Sequence, residues 1–317
     1  MSVTRRIFLY GAAALGTALA TPSGAGERLA VRIGYHKGGG LLGLLKVQGT
    51  LEKRAASRSW DVTWFEFPAG PQLLEGLNAG SVDFGYTGAP PPIFAQAAGV
   101  DLVYVGAEPV SQASEAVIVK SQAAAAGILD LKGRSIAVQK GSSAHYLLLA
   151  SLDKAGMQLR DLQVDYLQPS YARAAFDSDR VDAWSIWDPH LASVQATYPV
   201  RTVADYSSLS PVFGFYSATR RLVEQRPDVV AELIDSIAAA GAWAMAHPDA
   251  AAALLAPLVG LTVSAAESWQ RRIRYGVMPV NDTVVAAQQR VADTFFRYGL
   301  IPARVSVAGA VWRRRSS

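Results

Sequence analysis

The chain contains no cysteine, which excludes disulfides, thiolate metal sites and a cysteine nucleophile. Histidine is scarce as well. His36, His145, His190 and His247 are scattered, with no i,i+4 pair and no H-E-x-x-H spacing, so no metal site is expected. No Gly-x-Ser-x-Gly element, phosphate loop or dinucleotide fingerprint is present. Ser142, Ser143 and His145 lie close in sequence, but nothing marks the nucleophile, base and oxyanion roles that a hydrolase needs. Catalysis and a cofactor therefore lack a positive signal. Charge of one sign is missing too: 30 Lys and Arg against 26 Asp and Glu give +4, and removing Arg5 and Arg6 with a leader leaves +2 (4 minus 2). That balance is too mild to argue for nucleic acid. The terminal Arg313-Arg314-Arg315 run has no aromatic interleaving and reads as a solvated tail.

A long hydrophobic run is also lacking. The stretch from Ile7 to Ala20 is too short to span a bilayer comfortably, and it follows Arg5-Arg6 and ends in Ala18-Leu19-Ala20. Basic start, short apolar middle and small-residue exit describe a secretory signal over residues 1–26 of the twin-arginine-like kind. With no cysteine at the exit, a lipoprotein anchor is excluded. What remains is a soluble, periplasmic chain. Of its 317 residues half are apolar, with 27 Gly and 16 Pro, enough for a large core without disulfides.

Two stretches repeat one arrangement: an amphipathic helix, a small-residue turn, a Val-Asp pair, an apolar strand and a loop. The first runs from Gln72 to Gly88 and contains Val82-Asp83; the second runs from Ala172 to Asp188 and contains Val181-Asp182. Open α/β sheets bind ligands at the carboxyl ends of such strands. Further strands are expected over 29–35, 61–67, 102–107, 116–119, 135–138, 164–167 and 212–217, and a helix over 144–155. From Arg220 onward the pattern is mostly helical. The alternation predicts an α/β fold with mainly parallel sheets flanked by helices. Two lobes facing one cleft are favoured over a single doubly wound domain. Lobe I would hold residues 27–115 plus 215–317, and lobe II residues 116–214.

Candidate ligand groups cluster at the expected strand ends. Gly141-Ser142-Ser143 sits where a strand passes into a helix, so its N–H groups suit an anion, although one serine could simply cap the helix. Thr87 offers a hydroxyl, and Gly88 allows close backbone approach ahead of Pro90-Pro91-Pro92. Tyr35-His36-Lys37-Gly38 ends the opening strand, and Glu108 could line the rim. Trp184 and Trp187 fall on opposite faces of one strand, so at least one indole should be core packing. Asp188 before Pro189 reads as a turn former.

The runs Phe65-Glu66-Phe67-Pro68-Ala69-Gly70-Pro71-Gln72-Leu73-Leu74-Glu75-Gly76-Leu77-Asn78, Pro91-Pro92-Ile93-Phe94-Ala95-Gln96, Val138-Gln139-Lys140-Gly141-Ser142-Ser143, Trp187-Asp188-Pro189 and Arg226-Pro227-Asp228-Val229-Val230 closely resemble the aliphatic sulfonate-binding proteins of bacterial ABC importers. That resemblance implies a two-lobed periplasmic binding protein, monomeric, that closes on a small organic sulfonate and delivers it to a membrane permease with its ATPase. It also implies that the sulfonate sits against Gly141-Ser142-Ser143 and Thr87-Gly88, with Tyr35-His36-Lys37-Gly38 and Trp184 to Asp188 completing the pocket. Two departures bear on the ligand: His36 stands where the family often has Gln, and Ala89 where it often has an acid. A pyrimidine-precursor synthase-like protein, and a binding protein for thiamine precursors, nitrate or taurine-like amines, are alternatives on the same scaffold.

Overall fold

The computed structural model describes residues 28–37 and 41–313. The proposed leader, Gly38 with the rest of its glycine turn, and Arg314-Arg315 lie outside the described residues. In chain order the elements begin with β1 (Leu29–His36), α1 (Leu42–Gln48), α2 (Thr50–Ala56), β2 (Trp60–Phe67), α3 (Gly70–Asn78), β3 (Phe84–Thr87), α4 (Pro90–Ala97) and β4 (Leu102–Pro109). The chain then forms β5 (Glu115–Lys120), β6 (Ser135–Val138), α5 (Ser143–Lys154), β7 (Gln163–Tyr166), α6 (Pro169–Asp177), β8 (Ala183–Trp187), α7 (His190–Thr197) and β9 (Val200–Asp205). It ends with β10 (Phe213–Thr219), α8 (Arg220–Gln225), α9 (Pro227–Ala246), α10 (Pro248–Val259), α11 (Val263–Arg272) and α12 (Asp282–Arg297).

Two five-stranded sheets result, in the orders β2-β1-β3-β10-β4 and β7-β6-β8-β5-β9. Each is mainly parallel, with a single reversed strand: β10 runs antiparallel to β3 and β4, and β5 antiparallel to β8 and β9. The reversal follows from the path of the chain. β4 ends at the cleft and the chain crosses to the other lobe through residues 110–114, so β5 has to start at the cleft and run away from it. The return through residues 206–212 imposes the same direction on β10. The two crossings are tied side by side where the N–H of Val110 donates to the carbonyl of Val212 at 3.1 Å.

Burial follows what covers each strand. Both β2 and β4 are edge strands, yet β4 is buried from Leu102 to Glu108, its outer edge met by bridges from Val311 to Tyr104 and from Met278 to Ala107, whereas β2 alternates between half-buried and exposed residues. β9 is an edge strand absent from the sequence reading. Its Val200-Arg201-Thr202-Val203-Ala204-Asp205 run is half polar because only one of its edges and part of one face are covered.

The long helix α9 turns Val229, Val230, Leu233, Ile237, Ala240 and Ala244 into the first lobe, which is why so apolar a helix is stable here. α12 bridges the lobes. Its Gln288 donates to the carbonyl of Ala89 at 2.7 Å, while Tyr298, just past its end, donates to Asp153 of α5 at 2.7 Å. Phe295 packs edge-on against Phe94 of α4 at 5.0 Å and against His145 of α5 at 5.3 Å.

Candidate ligand-binding cleft

The carboxyl ends of β1, β3, β4 and β8, the amino end of β5 and the turn before α5 all open on one cavity between the lobes. Its empty space, counted with the opening to solvent, is about 750 Å³. His36, Gly88, Glu108, Ser142, Ser143, Trp187 and Asp188 line it.

The anion-type corner is the start of α5. Gly141 adopts a left-handed φ of 72°, which turns the chain from β6 into α5 and sets Ser142 and Ser143, at the start of that helix, in the cavity wall. Ser142 is the N-cap: its Oγ accepts the N–H of His145 at 3.2 Å, and its hydroxyl donates to the carbonyl of Gln139 at 2.7 Å. A serine has one O–H to give, so its side chain serves the helix and the ligand face is left to backbone N–H groups. His145 accepts the N–H of Gly141 through Nδ1 at 3.2 Å, and burial lowers its pKa to about 4, keeping the ring neutral.

The lobes meet at Gly88. A Cβ built there would lie 2.7 Å from the Cβ of Ser143, so only glycine permits this approach of β3 to α5. Thr87 is fully buried behind the wall, its hydroxyl donating to the carbonyl of Gly88 at 3.0 Å.

Other expected residues lie elsewhere. Trp184 does not reach the cavity; it is buried in the second lobe against Phe176, with ring centroids 6.0 Å apart. Its neighbour Trp187 does line the cavity, as strand alternation requires. Tyr35 is on the opposite face of β1 from His36, packed edge-on to Trp64 at 6.1 Å and donating to Glu66 at 3.0 Å. Lys37 and Gly141 are near the cleft without lining it. His36 does line it. Its Nδ1 contacts the carbonyl of Lys37 at 3.0 Å, and burial lowers its pKa, so the ring is uncharged at neutral pH.

Asp188 is held by a cross-lobe ion pair. Arg272 at the end of α11 donates Nε to Oδ2 at 2.9 Å and Nη2 to Oδ1 at 2.7 Å, and the N–H of Ala192 adds a bond at 3.0 Å. With both oxygens occupied, Asp188 is a structural tie rather than a free acid.

The structure adds wall residues that the sequence reading passed over. Trp269, Ile273, Arg274 and Tyr275 arrive from the far C-terminal region, and Glu115 from the amino end of β5. Arg274 is the cationic side chain of the wall. Burial pushes Glu108 up to about 7 and Glu115 up to about 8. Four buried polar atoms of wall residues have no partner in the protein: Nε1 of Trp187, Nε1 of Trp269, Nε2 of His36 and Oε2 of Glu115. Such atoms cost free energy when left unpaired, so their convergence on one cavity marks a place for a polar solute. Only Glu115 had a sequence signal, an acid opening an otherwise apolar strand. Among the described residues no cluster of three His, Cys, Asp or Glu is placed to hold a metal.

Two sheets joined by paired crossings, with a donor-lined cavity between them, define a two-lobed binding protein of the periplasmic type. The NMT1/THI5-like family model matches residues 61–251. The periplasmic aliphatic sulfonate-binding protein SsuA of Escherichia coli is 41% identical, with a TM-score of 0.83 over 90% of this chain and 97% of that one. The alkanesulfonate-binding protein SsuA of Xanthomonas axonopodis pv. citri, bound to MOPS, is 42% identical, with a TM-score of 0.86 over 91% of this chain and 100% of that one. A 2'-hydroxybiphenyl-2-sulfinate desulfinase of Rhodococcus erythropolis matches a shorter stretch, 35% identical over 104 residues, 31% of this chain and 28% of that one. The chain belongs to the NMT1/THI5-like family and, within it, to the aliphatic sulfonate-binding proteins.

Proposed function

We propose that this chain is an exported solute-binding protein that captures an aliphatic sulfonate, or a similar small organic anion, between its lobes and hands it to an ABC importer. It acts as a monomer and catalyses no reaction. Its lobes are assigned at the two crossings, one built on β1–β4 with β10 and the helices after it, the other on β5–β9, which moves the expected divisions at 115 and 215 to 110–114 and 206–212. The observation that carries this reading is the unpartnered indole donors of Trp187 and Trp269 in one cavity with the first turn of α5. A sulfonate head has three oxygens that only accept, so it calls for converging N–H and O–H groups more than for a buried cation, whose desolvation is costly. The apolar wall, with Pro91, Val110 and Ile273, suits an aliphatic tail. Arg274 at the wall supplies attraction for an anion.

Support also comes from the two SsuA relatives, sulfonate-binding proteins by name, that of Escherichia coli a periplasmic one. The desulfinase match spans too little of either chain to argue for turnover, and this chain has no cysteine to act as a nucleophile. The test is calorimetry on ligand-stripped protein, titrated with linear alkanesulfonates in a buffer that is not itself a sulfonate. Saturable heat at micromolar ligand is expected. No heat at millimolar sulfonate, with clear heat from nitrate or a pyrimidine precursor, would reassign the ligand.

A further inference from the structure

Two carboxyl groups are buried in the wall of the cleft, and their surroundings differ. Glu108 is fully engaged: Oε2 accepts the hydroxyl of Tyr216 at 3.0 Å, and Oε1 accepts the N–H of Gly276 at 3.4 Å. Both partners are donors, which suits an acceptor-only carboxylate. Glu115 is 6% exposed, shares the wall with Ser143 and leaves Oε2 buried with no partner in the protein. This free oxygen shares the cavity with Ser142 and Ser143, at the start of the twelve-residue helix α5.

An ionised Glu115 in that position would set a second negative charge beside the anion that the helix start attracts, in a space largely shut off from water. The neutral acid would present an O–H there instead. We propose, building on the sulfonate reading above, that Glu115 stays protonated and donates its O–H from Oε2 to a sulfonate oxygen held at the first turn of α5, so the occupied cleft retains one proton. The step is a hydrogen bond only, with no proton transferred to the sulfonate.

The surroundings hold the proton in place. Burial is the main cause of the raised affinity of Glu115 for its proton, and the nearby carboxylate of Asp188 adds to it. Asp188 is itself neutralised by Arg272. Tyr206, and Tyr86 on β3, are electrostatically coupled to Glu115; burial raises both phenols well above their ordinary range, so neither contributes charge. Elsewhere in the wall stand Glu108, His36 and Arg274. Of these, Glu108 also titrates near neutrality, at about 7. Its two oxygens already accept from Tyr216 and Gly276, so its titration should not remove a donor from the ligand.

The proposal predicts a proton-linked affinity. Binding of butane-1-sulfonate, followed by calorimetry in phosphate, Tris and borate buffers, should be level from pH 6 to 7.5. Above pH 8 it should weaken about tenfold per unit, because one proton must be taken up to bind. Heats compared across buffers of different ionisation enthalpy should give close to one proton taken up at pH 9. Glu115→Gln, which keeps a neutral donor, should bind within about threefold of the parent at pH 6.5 and lose the alkaline fall. Glu115→Ala should bind at least about tenfold more weakly at pH 6.5. Glu108→Gln should keep the alkaline fall.

A parent protein that binds butane-1-sulfonate with no pH dependence would overturn the proposal while leaving the sulfonate reading intact. So would a folded Glu115→Gln variant that binds more than tenfold more weakly at pH 6.5. Affinity for an aminoalkanesulfonate that rises with pH would also overturn it, by making Glu115 an acceptor for the ammonium group. No binding of any alkanesulfonate by the parent at any pH, with another solute binding, would sink the sulfonate reading and this proposal together.

Discussion

Asp83 and Asp182 occupy the same place in the two lobes and are held in opposite ways. Each precedes a central strand and stitches it to a neighbour: the N–H of Asp83 donates to the carbonyl of Arg32 at 2.7 Å, and that of Asp182 to the carbonyl of Ser135 at 3.1 Å. Each carboxylate takes a backbone N–H in return, from Arg32 at 3.1 Å and from Ser135 at 2.9 Å. The side-chain partners then diverge. Asp83 is 4% exposed, bonded to Arg32 at 2.8 Å and to Arg221 at 3.1 Å. Asp182 is 46% exposed and takes the Ser135 hydroxyl at 2.8 Å, with Arg134 only at 3.8 Å. Identical backbone stitching thus carries a buried carboxylate paired with two partly exposed arginines in one lobe and a solvated hydroxyl bond in the other. Local geometry is set by the repeat, whereas energy is set by what packs over it.

The largest effect that would sharpen this contrast is Asp83→Ala. It leaves Arg32 and Arg221 without their partner and should cost about 3 kcal/mol in chemical denaturation. Asp182→Ala should cost about 1 kcal/mol, since it removes mainly neutral hydrogen bonds. Equal losses would erase the distinction drawn between the lobes.

Next comes the contact between them. Gly88→Val inserts atoms where Ser143 already sits, an overpacking of about 1–3 kcal/mol that should appear as about 10- to 100-fold weaker ligand binding. The melting temperature should change little, because the lobes can part. Small-angle scattering should then report an open form in the presence of ligand, and a closed profile with parental affinity would show that the contact is not needed.

A smaller effect is expected at Ser142→Ala. Loss of the N-cap should lower stability by about 1 kcal/mol, with Ser142→Asp restoring most of it. A fall in ligand affinity with unchanged melting would instead mean that the hydroxyl faces the solute.

The gentlest test is pH. Buried His145 and His190 have pKa values lowered to about 4, so between there and 6.5 the unfolded chain binds more protons and stability is lost on acidification. Glu108 and Glu115, raised to about 7 and about 8, bind more protons in the folded state, so stability falls as pH rises from 4.5 through those values. Above pH 6.5 only the acids act, and the melting temperature of the ligand-free protein should decline from there to pH 8. His145 and His190 belong to the second lobe and His36, lowered in the same direction by burial, to the first, so acid should weaken both lobes.

The strands at the cleft were readable because apolar runs bounded by Gly and Pro are local signals. The alternation of Trp184 and Trp187 even implied that one indole would be packing, though which one required the sheet. Tyr35 was misplaced for the same reason: strand alternation separates it from His36, but only the packing of α1 and β2 shows which side is the core. The reversed direction of β5 and β10 left no mark in the residues, because it arises from where the chain crosses.

What the amino-acid sequence determined by itself is most of the elements, the repeat around Asp83 and Asp182 and the Ser142 cap, all of which depend on neighbours a few positions away. The tertiary structure decided the rest. Trp269 and Arg274 join Ser142 across more than a hundred residues, Arg272 reaches Asp188 from another lobe, and Glu115 becomes a buried acid with a free oxygen. Desolvation and ion pairing depend on what is brought near in space, and no local spacing encodes that.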